Sequence, residues 1–179
     1  VCFLHSYANP AHEQRVGTAL RRAGYSVSLS HELVAEYREY ERLSTTVLNA
    51  YVAPRMASHL DRLRTHLGGA LLRVMQSNGG AVGVAIAARE AVRTLLSGPA
   101  AGVTGARAVG RRTGIEKLLT FDMGGTSTDV SLLDGEPGQQ TEWTITDLPV
   151  KVPAVDVHTI GAGGGSIAHV PELTKALRV

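Results

Sequence analysis

Apolar positions along the chain follow two regimes. Up to about residue 113 they recur at helical spacing, broken by short continuous runs. Beyond Lys117 they mostly alternate with polar residues. "VCFLHS" (Val1–Ser6) reads as a buried strand, and the alternating "YSVSLS" (Tyr25–Ser30) reads as a second. A helix is predicted between them. Asn9 is placed to cap it, Pro10 fits its first position, Glu13 lies near its start, Arg21 and Arg22 in its last turn, and Gly24 just beyond. Val16, Ala19, Leu20 and Ala23 are its expected buried face. This β-α-β opening predicts an α/β layer.

Helical spacing continues from Glu32 to Leu67. Val47, Ala50 and Tyr51 share one face, as do Met56, Leu60, Leu63 and Leu67, and Pro54 predicts a kink or a fresh start. "ALLRVM" reads as a short strand and "QSNGG" as a turn. Val84, Ala87, Ala88, Ala91, Val92 and Leu95 predict one more helix, and "SGPAAGVTGARAVGRR" predicts another, rich in small residues. Strands are then expected at "KLLTFDM", "TDVSLLD", "TEWTITDL", "VKVPAVDVHTI" and "SIAHV". The expected fold class is α/β, with a hairpin-rich sheet in the second part.

Composition removes several classes of function. The formal net charge is only +2, with no Lys/Arg block, so no electrostatic footprint for nucleic acid or a membrane surface exists. Aromatic residues make up 4%, which argues against base stacking. No apolar run approaches the roughly 20 residues that span a bilayer. The single cysteine, Cys2, has no internal partner and fits a reducing compartment, so a cytoplasmic location is expected. The chain opens on a strand-like segment with no Met, and is expected to be an internal piece of a longer protein.

The chemistry concentrates in "FDMGGTSTDV", Phe121–Val130. If Gly124 and Gly125 form a two-residue hairpin turn with positive φ, Asp122 faces Ser127 and Thr120 faces Asp129. One face then carries Leu119, Phe121, Met123, Thr126, Thr128, Val130 and Leu132, and is expected on the core. The other carries Thr120, Asp122, Ser127, Asp129 and Ser131. Asp122 and Asp129 would be diagonal neighbours about 7–8 Å apart. That separation suits two carboxylates on a hydrated Mg²⁺. The glycines allow backbone N–H groups to approach an anion, and Thr126, Ser127 and Thr128 add hydroxyl donors. A solvated Gly-Gly hairpin satisfies the same spacing.

Other phosphate loops do not fit. No G-x-x-x-x-G-K-[ST] occurs. "GAGGGS" (Gly161–Ser166) nearly matches a dinucleotide fingerprint, but "IAHVPEL" follows it where a helix is required.

"FDMGGTSTDVSL" together with "VDVHTIGAGGGSIA", "REYERLSTTVLNAYV", "VMQSNGG" and "LLSGPAAGVTGA" resembles the hydantoinase A/oxoprolinase family, nearly end to end. The resemblance implies a partial actin/hexokinase/Hsp70-like (ribonuclease-H-like) fold, a mixed sheet with packed helices. Residues 1–116 would be an α/β part joining two lobes. Residues 117–179 would begin the second lobe with its phosphate-binding hairpin, the partner hairpin lying upstream. It implies ATP and Mg²⁺, with Asp122 and Asp129 as catalytic, metal-linked acids and Gly124, Gly125, Thr126, Ser127 and Thr128 at the phosphates.

The implied activity is ATP-dependent hydrolysis of a cyclic amide, its carbonyl oxygen activated by phosphorylation, with a hydantoinase B-type subunit as a candidate partner. The ATP-binding subunit of an acetone- or acetophenone-type carboxylase and a non-catalytic nucleotide-binding module are the alternatives. Asp156 and His158, at i and i+2, together with Gly163 and Gly164, are candidate substrate or metal contacts; a structural Asp–His pair and a tight glycine turn fit equally. The Ser44–Thr46 hydroxyls match the family pattern without a derived role.

Overall fold

Helices dominate up to Thr113 and strands from Lys117 onward, as the change in periodicity predicts. The computed structural model describes residues 1–170; Pro171 and the residues after it lie outside that range. The helices α1 (Ala11–Arg22), α2 (Ser30–Leu33) and α3 (Glu39–His66) come first. The strands β1 (Arg73–Met75) and β2 (Ala81–Gly83), then α4 (Val84–Arg89), a 3₁₀ turn (Ala91–Thr94) and α5 (Ser97–Thr113) follow. The rest is β3 (Lys117–Met123), β4 (Thr128–Asp134), β5 (Glu136–Pro137), β6 (Gln139–Gln140), β7 (Trp143–Ile145), β8 (Leu148–Val150), β9 (Ala154–Val155) and β10 (His158–Ile160). Contacts divide these elements into two units: Val1–Ser97 with Gln139–Ala154, and Gly98–Gly138 with the chain from Val155 onward. Helix α5 therefore groups with the hairpin after it, and the division expected at residue 116 is not where the contacts fall.

In the first unit the two expected opening strands do not form. Val1 exchanges hydrogen bonds with Ser28 and Ser30 (2.8 and 3.0 Å), but Phe3–Ala8 closes into turns instead of extending a ladder. Helix α1 is punctuated as predicted. Asn9 Oδ1 accepts the Ala11 N–H (3.2 Å), and Gly24 (φ +87°) lets the Tyr25 N–H reach the Leu20 carbonyl. Its buried face is Glu13 and Gly17 rather than Val16 and Ala19, because a charged network lies beneath it.

Glu13 is fully buried and accepts four hydrogen bonds: from Phe3 N–H (2.7 Å), Ser30 Oγ (2.6 Å), His31 N–H (3.1 Å) and His31 Nδ1 (2.7 Å). A carboxylate only accepts, so the Ser30 proton points at Glu13, Ser6 donates to Ser30, and Arg42 Nη1 donates to Ser6 (2.7 Å). A fully buried cation is thus wired to a fully buried anion through two hydroxyls. Arg42 also donates to the Phe3 carbonyl and stacks over the Tyr7 ring.

Helix α3 runs through Pro54 without a break, and Val47 and Tyr51 are exposed. Its Ser-Thr-Thr segment has a structural role. Thr45 Oγ accepts the Lys151 N–H (2.8 Å) and donates to Glu41 O, while Asn49 holds Ser28, Arg89 and Val92. These bonds fasten the 139–154 excursion and the α4 region to α3. The apolar core between them is Leu33, Val34, Val92, Trp143, Val150, Val152 and Ala154.

In the second unit β3 and β4 have the predicted limits and the sheet runs β10-β4-β3, all antiparallel, with β5 also paired to β4. The expected strand at Ser166–Val170 does not form, "TEWTITDL" is itself a hairpin, β7–β8, and "VKVPAVDVHTI" is broken into short strands. Helix α5 packs Ala100 and Val103 against Leu133 and Val155, with Leu118 and Val157 alongside.

The Glu13 network makes a prediction. Burial by itself would raise the Glu13 carboxyl; the hydrogen bonds from Ser30, His31 and Phe3 outweigh it and hold the pKa at about 2 instead of 4.5. The folded state is therefore favoured by the ionised group above pH 4.5, and that contribution, on the order of 3 kcal/mol, is lost as pH falls toward 2. Denaturant unfolding as a function of pH should show this loss. Glu13→Gln, which turns one acceptor into a donor facing the His31 N–H, should cost a similar amount at pH 7 and flatten the acid dependence.

Candidate functional site

The β3–β4 connection is a four-residue loop, Gly124–Ser127, not a two-residue turn. Met123 pairs with Thr128, Asp122 with Asp129, Phe121 with Val130, and Thr120 with Ser131. The register is two residues from the expected one. An even slip keeps each side chain on its face but changes its opposite neighbour. Asp122 and Asp129 are therefore directly across from each other, a spacing of about 4.5–5.5 Å between Cβ atoms instead of a diagonal. Neither Gly124 nor Gly125 adopts the positive φ that a two-residue turn requires.

Which face packs inward is also reversed. Apart from the buried Thr128 next to the loop, the expected core face is largely open: Phe121 is 63% and Leu132 74% exposed, and Leu119 and Met123 are exposed too. The acid and hydroxyl face turns toward α5 because Leu118 and Leu133 lie on it and seal against Ala100 and Val103. Ser131 is buried there and donates to the Asp156 carbonyl (2.7 Å), and Thr120 Oγ accepts the Ser131 N–H.

Strand β10 completes the row. Thr159 pairs with Asp129, and its hydroxyl donates to Asp129 Oδ1 at 2.6 Å. Asp122, Asp129 and Thr159 thus stand side by side across three strands. Asp122 and Asp129 border a cleft of about 560 Å³ between β3 and α5, whose walls include Pro99, Gly102, Val103 and Leu118. A methyl group at Gly102 would lie 3.9 Å from Asp122 Oδ2, so the helix leaves the carboxylate room. Sequence reasoning missed Thr159; its place three residues after Asp156 carried no signal until its pairing with β4 was known.

The Gly161–Ser166 segment lies against the Gly124–Ser127 loop. Gly164 and Gly165 donate to the carbonyls of Gly124 and Gly125, both at 2.9 Å. Gly163 donates to Ser166 Oγ (3.0 Å). These N–H groups are therefore committed within the protein and are not offered to a ligand. Thr128 is 2% exposed and donates to the Ala162 carbonyl (2.6 Å), so its only proton is also committed. By contrast, among the described residues the N–H groups of Gly125, Thr126 and Ser127 donate to no protein acceptor. Three successive unsatisfied N–H groups form a concavity suited to an anion.

Asp156 and His158 do not join the acid row. His158 pairs with Val130 and so shares the opposite face with Phe121. Asp156 lies outside the strands, hydrogen-bonds Gly138 through its N–H, and packs its side chain against that glycine. Among the described residues no group of three His, Cys, Asp or Glu side chains could enclose a metal ion. None of their helices is long and apolar enough to cross a membrane.

Comparison with known proteins agrees with this architecture. The hydantoinase/oxoprolinase family model matches residues 42–179. Caprolactamase subunit alpha of Pseudomonas jessenii is 37% identical over 96% of this chain, which covers 26% of that protein. The 5-oxoprolinase of Saccharomyces cerevisiae is 37% identical over 93% of this chain, covering 13% of the yeast protein. The crystal structure of the Pseudomonas jessenii ATP-dependent caprolactamase superimposes with a TM-score of 0.81 at 37% identity, over 96% of this chain and 26% of that one. A nucleotide-free acetone carboxylase structure gives 0.79 at 31% identity, over 99% of this chain and 26% of the other. The chain thus spans about a quarter of the length of the caprolactamase and acetone carboxylase chains it matches. Its mixed α/β fold with packed helices and sheets is theirs over that span, and accords with an actin-like ATPase fold. The chain belongs to the hydantoinase/oxoprolinase family.

Proposed function

We propose that the protein carrying this chain is an ATP-dependent hydrolase of cyclic amides, and that the β3–β4 loop holds phosphate. The observation that supports this best is the juxtaposition of two directly opposed carboxylates with three unsatisfied N–H groups. Like charges directly opposite each other destabilise a sheet. The pair is more easily understood as a seat for a cation, and Mg²⁺ accepts one or two carboxylates while keeping most of its water.

In this reading Asp122 and Asp129 hold the magnesium, and Thr159 fixes the Asp129 carboxylate by its hydrogen bond. The N–H groups of Gly125, Thr126 and Ser127, with the Thr126 and Ser127 hydroxyls, donate to phosphate oxygens. ATP would supply a phosphoryl group to the amide oxygen, activating the carbonyl carbon for addition of water; the ring C–N bond then breaks with the nitrogen leaving as an amine, and a second water releases phosphate to give the carboxylate. The protein contributes position and charge neutralisation, the main requirements of phosphoryl transfer. The unit that holds α5 and the β3–β4 hairpin begins the second of two lobes, and the unit Val1–Ser97 with Gln139–Ala154 joins the two. In this reading Asp156 and His158, which stand apart from the acid row, take structural roles.

The names of the relatives support the substrate class, since caprolactam and 5-oxoproline are both cyclic amides. Two matched relatives are named as subunits, caprolactamase alpha and acetone carboxylase beta, so a second, B-type subunit belongs to the proposal. A cytoplasmic location, where ATP is supplied, belongs to it as well. The acetone carboxylase match favours a ketone carboxylase as the second reading. ATP hydrolysis by the complete protein, stimulated by lactams or by ketones, separates the two, and nucleotide binding without stimulated turnover would indicate a regulatory module.

Asp122→Ala in the complete protein should abolish substrate-stimulated ATP hydrolysis while leaving the circular dichroism spectrum unchanged; activity near wild type would refute the role given to Asp122. In metal-free buffer at low ionic strength, Asp122→Asn should stabilise the fold by about 0.2–1 kcal/mol through relief of the Asp129 repulsion, measured as a higher Tm.

A further inference from the structure

We propose that Gly163–Gly165 is a clamp that aims the phosphate loop, so that Gly163 sets nucleotide affinity without touching nucleotide. This rests on the β3–β4 loop being the phosphate site. A trans peptide directs its C=O and its N–H in opposite directions, and no peptide bond among the described residues is cis. The Gly124 carbonyl is drawn toward the clamp by Gly164 N–H, so the Gly125 N–H points away from it. The Gly125 carbonyl is drawn the same way by Gly165 N–H, so the Thr126 N–H also points away. Two hydrogen bonds made by the clamp thus orient two of the three free donors toward the open side of the loop. A Cβ on Gly125 would meet no atom within 4 Å beyond its chain neighbours, so the loop is open there.

The approach is close enough to demand glycine. A Cβ on Gly163 would lie 2.6 Å from Gly124 O, 2.7 Å from Thr126 N and 2.8 Å from Gly125 C. All three are backbone atoms of the phosphate loop, so a methyl group there displaces the loop itself and not a flexible side chain. On Gly165 it would meet Gly125 O at 2.9 Å. The clamp is closed on itself by Ser166, whose N–H donates to Gly163 O and whose hydroxyl accepts the Gly163 N–H. It is fastened to β4 by the buried Thr128 hydroxyl on the Ala162 carbonyl. Gly163 and Thr128 are accordingly positioning residues, acting through the loop donors.

The test is calorimetric titration of the complete protein with ATP and Mg²⁺, with melting curves for each variant. Gly163→Ala should weaken binding by roughly ten- to a hundredfold, the effect of displacing a positioned group by a fraction of an ångström to about 1 Å. Thr128→Val should also weaken it, and Thr128→Ser, which keeps the hydroxyl, should restore it; this pair decides the matter if Gly163→Ala does not fold. Nucleotide affinity equal to wild type in Thr128→Val or in folded Gly163→Ala, alongside a loss in Asp122→Ala, would overturn the clamp and leave the phosphate site standing. A wild-type protein that binds no nucleotide would overturn both.

Discussion

Backbone contact between two glycine segments far apart in sequence organises the candidate site. Gly124 and Gly125 accept hydrogen bonds from Gly164 and Gly165, and Gly163 fits against the loop with no space for a side chain. An arrangement of this kind cannot be made by side chains, which would hold the two backbones apart. It leaves the loop donors free on one side only, and strand β10, which leads directly into the clamp, sets Thr159 against Asp129. The carboxylate row and the donor loop are therefore ordered by one continuous piece of chain, His158 to Ser166.

The first unit is held by different means. Its interior contains a carboxylate and a guanidinium, both fully buried, joined through Ser30 and Ser6. Burying such charges is costly unless each is hydrogen-bonded and paired, and removing one partner leaves the other without compensation. Glu13 meets that requirement with four donors. The same logic extends along α3, where Thr45 and Asn49 hold backbone groups of distant segments with well-placed polar atoms. The polar residues that give this helix its family pattern serve the fold.

Much of this was legible in the residues and some was not, for identifiable reasons. The limits of β3 and β4 followed from strict alternation, and the cap, proline and glycine signals gave α1 its ends. The loop length did not follow, since two adjacent glycines read as a complete turn, whereas the structure uses them for close approach. The inward face was misjudged because hydrophobicity was weighed over Leu119, Phe121 and Leu132, while Leu118 and Leu133 at the far end of the other face decide the packing. Periodicity likewise could not reveal that α1 would bury Glu13. Asp156 and His158 were grouped by a strand that is not continuous between them. The meeting of the two glycine segments had no local signature at all.

A crystal structure of the complete protein with a nonhydrolysable ATP analogue and Mg²⁺ tests the account at its foundation. It should place phosphate oxygens within hydrogen-bonding distance of the Gly125, Thr126 and Ser127 N–H groups, with the metal beside Asp122 and Asp129. Phosphates bound elsewhere, with those three N–H groups facing only water, would contradict it.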